Sequence, residues 1–176
     1  MARPVSRIAP APGTIPLDWR GLAAASAGSR MPSRLGALGM SMGATKAWWL
    51  AALDPRVRLC IDVCCLTDFD ELIAADNLKG HGIYYYVPSL LRHFSTQQIN
   101  ELIVPRPRLS VNGRLDDLTP PKGVEKVRDY LLPLYQKHGM GEACRIELFD
   151  CAHVELPEMR QLITSWMDKH LVGPRT

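Results

Sequence analysis

Apolar and polar positions alternate along the chain in blocks that predict a succession of strands and helices from residue 34 onward. Residues 35–40 form a short apolar run, and a helix-forming segment, 44–53, follows until Asp54-Pro55. Helices rarely continue through the residue before a proline, so this helix is expected to end there. Residues 57–66 form a second apolar run without strict alternation, which favours a parallel strand covered on both faces.

The second half of the chain resumes this pattern after a long excursion. Residues 68–104 are too many for an ordinary connection between sheet elements, and stretches 89–94 and 96–103 within them have helical character. A third strand is predicted at 109–112 and a fourth, with period-two alternation, at 145–149.

Two further helices are predicted in this half. Thr119-Pro120 offers a hydroxyl cap followed by a proline at the first helical position, and Pro133 is expected to kink or end that helix early. The last helix, about 157–171, has an apolar face of five residues at helical spacing: Met159, Leu162, Ile163, Trp166 and Met167.

This order of elements predicts an α/β fold with a mostly parallel sheet of about four strands and helices on both faces. Residues 34–172 are expected to form its single domain. Residues 1–33 are rich in Pro, Ala, Gly, Ser and Arg, and are expected to be irregular. Residues 1–34 contain five arginines and a single acid, Asp18, which is also typical of a transit peptide, but Pro4, Pro10, Pro12 and Pro16 disfavour the amphipathic helix that such a peptide needs.

Composition narrows the function classes. With 47% hydrophobic and 22% charged residues, the chain has the balance of a globular domain. Its net charge of +3 comes from 21 basic and 18 acidic residues without a basic stripe, so no nucleic-acid partner is expected. No run approaches the ~20 apolar residues of a membrane span, and no secretory leader is visible, so we expect no membrane partner and a cytoplasmic location.

The five cysteines are odd in number, lie mostly in apolar runs and form no C-x-x-C pair. This pattern favours buried reduced thiols over a disulfide framework or a zinc site. We therefore expect no metal.

A nucleophile motif follows the first predicted strand. Gly39-Met40-Ser41-Met42-Gly43 fits G-x-S-x-G and lies between an apolar strand and a helix, which is the context this motif requires. A serine at such a strained turn needs small residues two positions before and after it, where strand and helix converge. The start of the helix also stabilises developing negative charge, so the Met42 N–H is the expected oxyanion donor.

A serine nucleophile requires a base and an acid further along the chain. Among five histidines, only His153 lies in a short loop between a predicted strand and a helix, whereas His81, His93, His138 and His170 are expected at surface or capping positions. Asp116 and Asp117 both follow the third strand, and the residue pattern alone does not separate them. Asp68 and Asp70, after the second strand, rank third because they also suit capping of the following helix.

Four segments of the chain resemble the dienelactone hydrolase and acetyl-esterase-like branch of the α/β-hydrolase superfamily: LGALGMSMGA, LDPRV, VNGRLDDLTPP and FDCAHVE. The resemblance covers about residues 34–172, the C-terminal half of that fold. It implies that the acid is Asp116, three residues after Gly113, and that His153 is the base. It also implies hydrolysis of a small carboxylic ester or lactone through an acyl-enzyme, without a metal or organic cofactor.

The chain departs from that family before residue 34. No apolar strand runs precede the nucleophile strand, and the H-G-G-type motif that often supplies a second oxyanion donor is absent. The nucleophile strand is then expected at a sheet edge that a homo-oligomer or a partner chain covers. Weak activity, a serine peptidase and a non-catalytic remnant are alternatives to a fully active esterase. Tyr84, Tyr85 and Tyr86 are expected either to line a substrate pocket or to pack in the core.

Overall fold

The computed structural model describes residues 35–172, including all side chains except those of Tyr84 and Val172. Strands and helices alternate from the start: β1 (Gly36–Met40), α1 (Met42–Leu53), β2 (Leu59–Val63), α2 (Phe69–Ala74), α3 (Thr96–Glu101), β3 (Arg108–Gly113), α4 (Pro121–Lys137), β4 (Cys144–Phe149) and α5 (Pro157–Met167). Short 3-10 turns lie at Leu78–Gly80, Ile83–Tyr85, Leu90–Arg92 and Gly141–Ala143, and a π-helical turn, Asp168–Val172, follows α5. The prediction that residues 1–33 are irregular concerns a segment outside the described residues.

The four strands form one parallel sheet in the order β1-β2-β3-β4. Gly36 pairs with Leu59, Cys60 with Arg108, and Arg108 with Cys144, so the strands lie in register along the whole sheet. Every residue of β2 and β3 is buried, which explains why neither strand shows a simple alternation of apolar and polar residues. The predicted α/β class with a mostly parallel sheet is confirmed.

The two faces of the sheet have separate cores. On one face, α1 packs Trp48 and its neighbours against Ala37 and Cys60, and α4 packs Val127 and Leu131 against the β4 side. On the other face, α5 places Met159, Ile163 and Trp166 against a layer of strand residues: Leu59, Ile61, Val63, Leu109 and Val111. Helices on both faces were predicted, and the apolar stripe of the last helix is the surface that α5 buries.

A buried ion pair crosses the centre of the sheet. Arg108 in β3 donates to Asp62 in β2 at 3.1 Å, and both side chains are fully buried. Ser110 and Asn100 bond the same two groups, which satisfies most of the polar atoms that burial would otherwise leave unpaired.

Three local predictions need correction. Thr119 was predicted to be the N-cap of helix α4, but the helix begins after Pro120, which is its N-cap. The expectation that Pro133 ends this helix is wrong, because α4 continues to Lys137 and buries Tyr135 two residues later, at a cost of one helical hydrogen bond. Residues 89–94 contain only the 3-10 turn Leu90–Arg92 rather than a helix.

Among residues 35–172, none of the helices combines the length and the apolar character needed to cross a lipid bilayer.

Candidate active site

Ser41 lies at the turn between β1 and α1 with φ 55° and ψ −121°. A positive φ is strained for a residue with a side chain, and such strain is typical of the strand-to-helix turn that exposes a nucleophile. The Ser41 N–H donates to Val63 O at 2.8 Å, which ties the turn to the end of β2. Ser41 therefore has the backbone conformation that the motif predicted.

The two glycines of the motif have different roles. A Cβ at Gly39 would overlap the backbone carbonyl of Gly43, so the strand and the helix approach each other too closely there for any side chain. A Cβ at Gly43 would have no heavy atom within 4 Å in the described part of the chain. The prediction that both positions require glycine holds for Gly39 and is wrong for Gly43.

Helix α1 begins at Met42, whose N–H has no acceptor within the helix. No acidic residue lies in the first turn of α1, so the positive end of the helix dipole is not neutralised there. This end of α1 is suited to stabilise an anion next to Ser41.

Asp116 and His153 form a hydrogen-bonded pair. His153 Nδ1 and Asp116 Oδ2 are 2.8 Å apart, Asp116 is fully buried at its side chain, and the imidazole is 27% exposed. An ionised carboxylate only accepts hydrogen bonds, so Nδ1 carries the proton and Nε2 presents a lone pair. The second oxygen, Asp116 Oδ1, accepts from the Leu118 N–H at 2.9 Å and fixes the carboxylate from the other side.

Gly113 allows this pair to form. It ends β3, and a Cβ there would overlap the carbonyl oxygens of Cys151 and Ala152 in the loop that carries His153. The Leu115 N–H also donates to Cys151 O at 2.9 Å, which joins the two loops. The close approach of the loops after β3 and β4 thus depends on a residue without a side chain.

The competing acids lie elsewhere. Asp117 is exposed, and no hydrogen bond of its carboxylate is recorded within residues 35–172. Asp68 accepts from the Glu71 N–H at the start of α2, as predicted for a cap, and pairs with Lys126 at 2.8 Å. Asp70 lies 3.9 Å from the same lysine.

Ser41 is not hydrogen-bonded to His153 in the described structure. The pair of Asp116 and His153 follows β3 and β4, whereas Ser41 follows β1, and all three lie at the carboxyl edge of the sheet. The structure brings the acid and the base together and places the serine hydroxyl at the same edge without a bond between the hydroxyl and the imidazole.

Two residues of the excursion hold the loop that carries the acid. Asn77 Nδ2 donates to Asp117 O at 2.6 Å, and His81 Nε2 lies 2.9 Å from Leu118 O. Burial lowers the pKa of His81, and the ring stacks on Tyr85 with centroids 4.1 Å apart. We call this pair, Asn77 and His81, the loop clamp. It was not expected from the sequence, since a polar residue in an irregular segment resembles any surface residue.

The tyrosines predicted for a substrate pocket have different surroundings. Tyr85 is only 4% exposed, and its hydroxyl lies 2.8 Å from Cys65 Sγ within the core under α1. Tyr86 is 45% exposed and donates to Leu78 O at 2.9 Å. The side chain of Tyr84 lies outside the described residues. The position of Tyr85 favours core packing, one of the two roles that the sequence predicted for these tyrosines, over a place in a substrate pocket.

Cys64 is a further residue at this edge. It follows β2 with φ 54°, and burial raises the pKa of its thiol to about 12. Its sulfur, a carboxylate oxygen of Asp116 and a ring nitrogen of His153 all lie within 4.8 Å of one another. These three residues can hold a metal ion. This grouping was not predicted, and no metal was expected, because the residues are 52 and 37 positions apart along the chain.

The parallel sheet, the strained serine after β1 and the Asp–His pair after β3 and β4 define part of an α/β-hydrolase fold. No family model matches the chain. A Bacillus subtilis (strain 168) protein named "Putative hydrolase YtaP" is 44% identical over 140 residues, which are 80% of this chain and 47% of that protein. The chain thus spans about half the length of this curated relative.

Solved structures with the same fold include glucuronoyl esterases. A glucuronoyl esterase from Sporotrichum thermophile matches with a TM-score of 0.68 and 17% identity, over 89% of this chain and 48% of that chain. A family 15 glucuronoyl esterase from Caldicellulosiruptor kristjansonii matches with a TM-score of 0.65 and 19% identity, over 78% and 43%. At these identities the likeness shows the fold.

Proposed function

We propose that this chain is the catalytic part of a serine hydrolase that cleaves carboxylic esters or lactones through an acyl-enzyme. Ser41 is the nucleophile, His153 the base and Asp116 the acid. The observation that carries the proposal is the 2.8 Å hydrogen bond between His153 Nδ1 and buried Asp116, because it leaves Nε2 free to accept a proton at the edge where Ser41 lies.

The reaction proceeds in two halves. His153 Nε2 takes the proton of Ser41 Oγ as the oxygen attacks the ester carbonyl, and the Met42 N–H stabilises the resulting oxyanion. The tetrahedral intermediate collapses when the imidazolium returns the proton to the leaving alkoxide. Water, activated by the same imidazole, then attacks the acyl-enzyme and releases the carboxylic acid and Ser41.

The missing bond between Ser41 and His153 is compatible with this mechanism. Catalytic hydrogen bonds are often long or poorly aligned before substrate binds and tighten in the complex. The hydroxyl turns about a single side-chain bond, while the imidazole is held by Asp116.

The relatives favour ester bonds over peptide bonds. The Bacillus subtilis relative is named as a hydrolase, and the glucuronoyl esterases with this fold act on esters by name. A serine peptidase uses the same triad geometry, so the scissile bond has to be tested directly.

A fluorophosphonate probe tests the nucleophile. We expect covalent labelling of the wild-type chain, loss of labelling in Ser41→Ala, and unchanged labelling in Ser89→Ala, an exposed serine outside the site. Failure of folded wild-type protein to react would contradict the proposal and favour a non-catalytic remnant. Hydrolysis of p-nitrophenyl acetate compared with a p-nitroanilide peptide then separates an esterase from a peptidase.

A further inference from the structure

We propose that Cys64, Asp116 and His153 form a binding site for a thiophilic divalent cation such as Zn²⁺, and that a cation bound there blocks the hydrolase. The three donor atoms already lie within 4.8 Å of one another. The cation site stands independently of catalysis, whereas its inhibitory effect rests on the proposed function.

The donor set selects the cation by its chemistry. A thiolate, an imidazole and a carboxylate are ligands that Zn²⁺ takes up together, and three protein ligands with one open position are typical of its accessible sites. Mg²⁺ and Ca²⁺ prefer oxygen ligands alone, so they are poor occupants of a site that contains a sulfur.

Binding of Zn²⁺ requires only small shifts of the three donor atoms. Zn²⁺ bonds of about 2.0 Å to nitrogen or oxygen and 2.3 Å to sulfur, in a tetrahedron, place the donors roughly 3.3–3.6 Å apart. His153 Nδ1 and Asp116 Oδ2 are 2.8 Å apart, so these two atoms separate slightly, and Cys64 Sγ moves towards them by at most about 1 Å. All three residues lie on loops after strands, where such shifts do not break the sheet.

The entry path lies on the side of the imidazole. Cys64 and the Asp116 side chain are fully buried, while the His153 side chain is 27% exposed. A cation therefore approaches along His153, and the fourth position faces solvent, where water completes the tetrahedron.

Binding releases one proton. The Cys64 thiol now donates to Val154 O at 3.6 Å, and on binding the S–H bond is replaced by an S–Zn bond while the proton passes to solvent.

A bound cation stops His153 from acting as a base whichever ring nitrogen it occupies. Coordination at Nε2 takes the lone pair that accepts the serine proton. Coordination at Nδ1 moves the ring proton to Nε2, which then has no lone pair, and replaces the hydrogen bond to Asp116 that fixes the ring.

Titration calorimetry with ZnCl₂ and absorption spectra with CoCl₂, on protein without a purification tag, test the site. We expect one Zn²⁺ per chain, no binding of Mg²⁺, and a near-ultraviolet sulfur-to-cobalt charge-transfer band. Cys64→Ala and Cys64→Gly should lose the band and more than about 100-fold in zinc affinity. Glycine suits the φ of 54° at this position, so the second variant guards against misfolding of the first.

Cys151→Ala is the matched control. Cys151 is a neighbouring buried thiol that also donates to Val154 O, at 3.8 Å, but it is not among the three donors. We expect it to keep the band and the affinity. Absence of the band in wild-type protein, or equal zinc affinity in wild type and both Cys64 variants, would overturn the site.

The inhibitory effect is measured as ester hydrolysis against zinc concentration, each variant being compared with its own zinc-free rate. We expect inhibition to follow the binding curve of wild-type protein, to be reversed by EDTA and to be absent in Cys64→Ala. If the protein binds zinc but hydrolyses no ester even without zinc, the result supports the cation site and contradicts only the proposed hydrolase function. Hydrolysis that persists when zinc is fully bound overturns the inhibitory effect.

Discussion

Asp116 and Asp117 are neighbours in sequence, yet their carboxylates have different surroundings. Asp116 is buried between the Leu118 N–H and His153 Nδ1, whereas Asp117 is exposed and its backbone carbonyl is held by Asn77. Burial and two specific hydrogen bonds make Asp116 the only one of the two that can orient the imidazole.

Asp116→Asn is therefore expected to lower kcat by about 10³–10⁴-fold, since an amide no longer holds the imidazole in the tautomer that accepts a proton. Asp117→Asn is the control and should change kcat less than about threefold. Steady-state hydrolysis of p-nitrophenyl acetate measures both. Equal losses in the two variants would defeat the assignment of the acid.

The two motif glycines give a second matched pair. Gly39→Ala should destabilise the fold by about 1–3 kcal/mol, because its Cβ overlaps the Gly43 carbonyl. Gly43→Ala should be neutral or stabilise it by up to about 1 kcal/mol, because the added Cβ meets no atom and alanine favours the helix. Urea unfolding followed by circular dichroism compares them, and a stabilised Gly39→Ala would contradict the geometry.

At the scale of elements, the part of the excursion between α2 and α3 holds the loop that carries Asp116, through the loop clamp of Asn77 and His81. Asn77→Ala and His81→Phe remove one hydrogen bond each, and phenylalanine can retain the stacking on Tyr85. We expect the double variant to lose about 10- to 100-fold in kcat, since small displacements of a catalytic group have effects of this size. Amide exchange in residues 114–119 should also become faster.

Lys79→Ala is the control for the loop clamp. Lys79 lies between the two clamp residues, its side chain is 84% exposed, and its only recorded ion pair within the described residues is a 3.7 Å contact with Asp76. A loss of kcat as large in Lys79→Ala as in the double variant would show that the excursion acts in another way.

His81 also predicts a dependence of stability on pH. Burial lowers its pKa from the ordinary 6.5, so the unfolded chain takes up the proton first as the pH falls. The free energy of unfolding contributed by the neutral ring is present above about pH 6.5 and is lost as the pH falls below it towards the folded pKa. Urea unfolding between pH 7 and pH 5 should show a shallower decline in His81→Phe than in wild type, and identical slopes would refute this.

The elements themselves were largely predictable from the sequence, because β1 and β2 lie in apolar runs, β4 alternates apolar and polar residues, and α5 has a stripe at helical spacing. The order of strands in the sheet and the bounds of the irregular excursion were not, since these depend on contacts between distant residues. Helix α4 shows the limit: Pro133 is unfavourable locally, but burial of Leu131 and Tyr135 on either side of it carries the helix through.

The candidate site was predictable only in part, because some of its contacts also join residues that are distant in the sequence. Ser41, Asp116 and His153 each follow a recognisable strand, so their common edge could be inferred from the fold. Cys64 and the loop clamp are recognisable only once β2, β3 and the excursion are folded next to one another. The absence of a hydrogen bond between Ser41 and His153 could not be predicted either, because residue spacing does not determine the distance between these two side chains.

At the scale of the whole molecule, β1 has one uncovered face among the described residues. Leu38 and Met40 lie on the same side as α5 but are 54% and 39% exposed, because α5 covers the centre of the sheet instead. β1 is also an edge strand of the described sheet. Apolar side chains along a sheet edge favour association with another chain, which is the proposed means of covering this strand.

Leu38→Lys is accordingly expected to shift the sedimentation profile of the chain towards the monomer without a change in the free energy of unfolding. Leu53→Lys, a 69% exposed leucine at the end of α1, serves as the control and should leave association unchanged. A wild-type chain that is monomeric at all concentrations would refute self-association through β1.

The order of the strands in the sheet, which equals their order along the chain, bears on biosynthesis. During translation β2, β3 and β4 each leave the ribosome after the preceding strand with which they pair, so the described sheet can grow from β1 without waiting for a later segment. His153 is translated after every strand, and α5 follows it. Asp116 and His153 can therefore pair only after β4 has been made, and a chain that ends before β4 carries the proposed nucleophile without its proposed base.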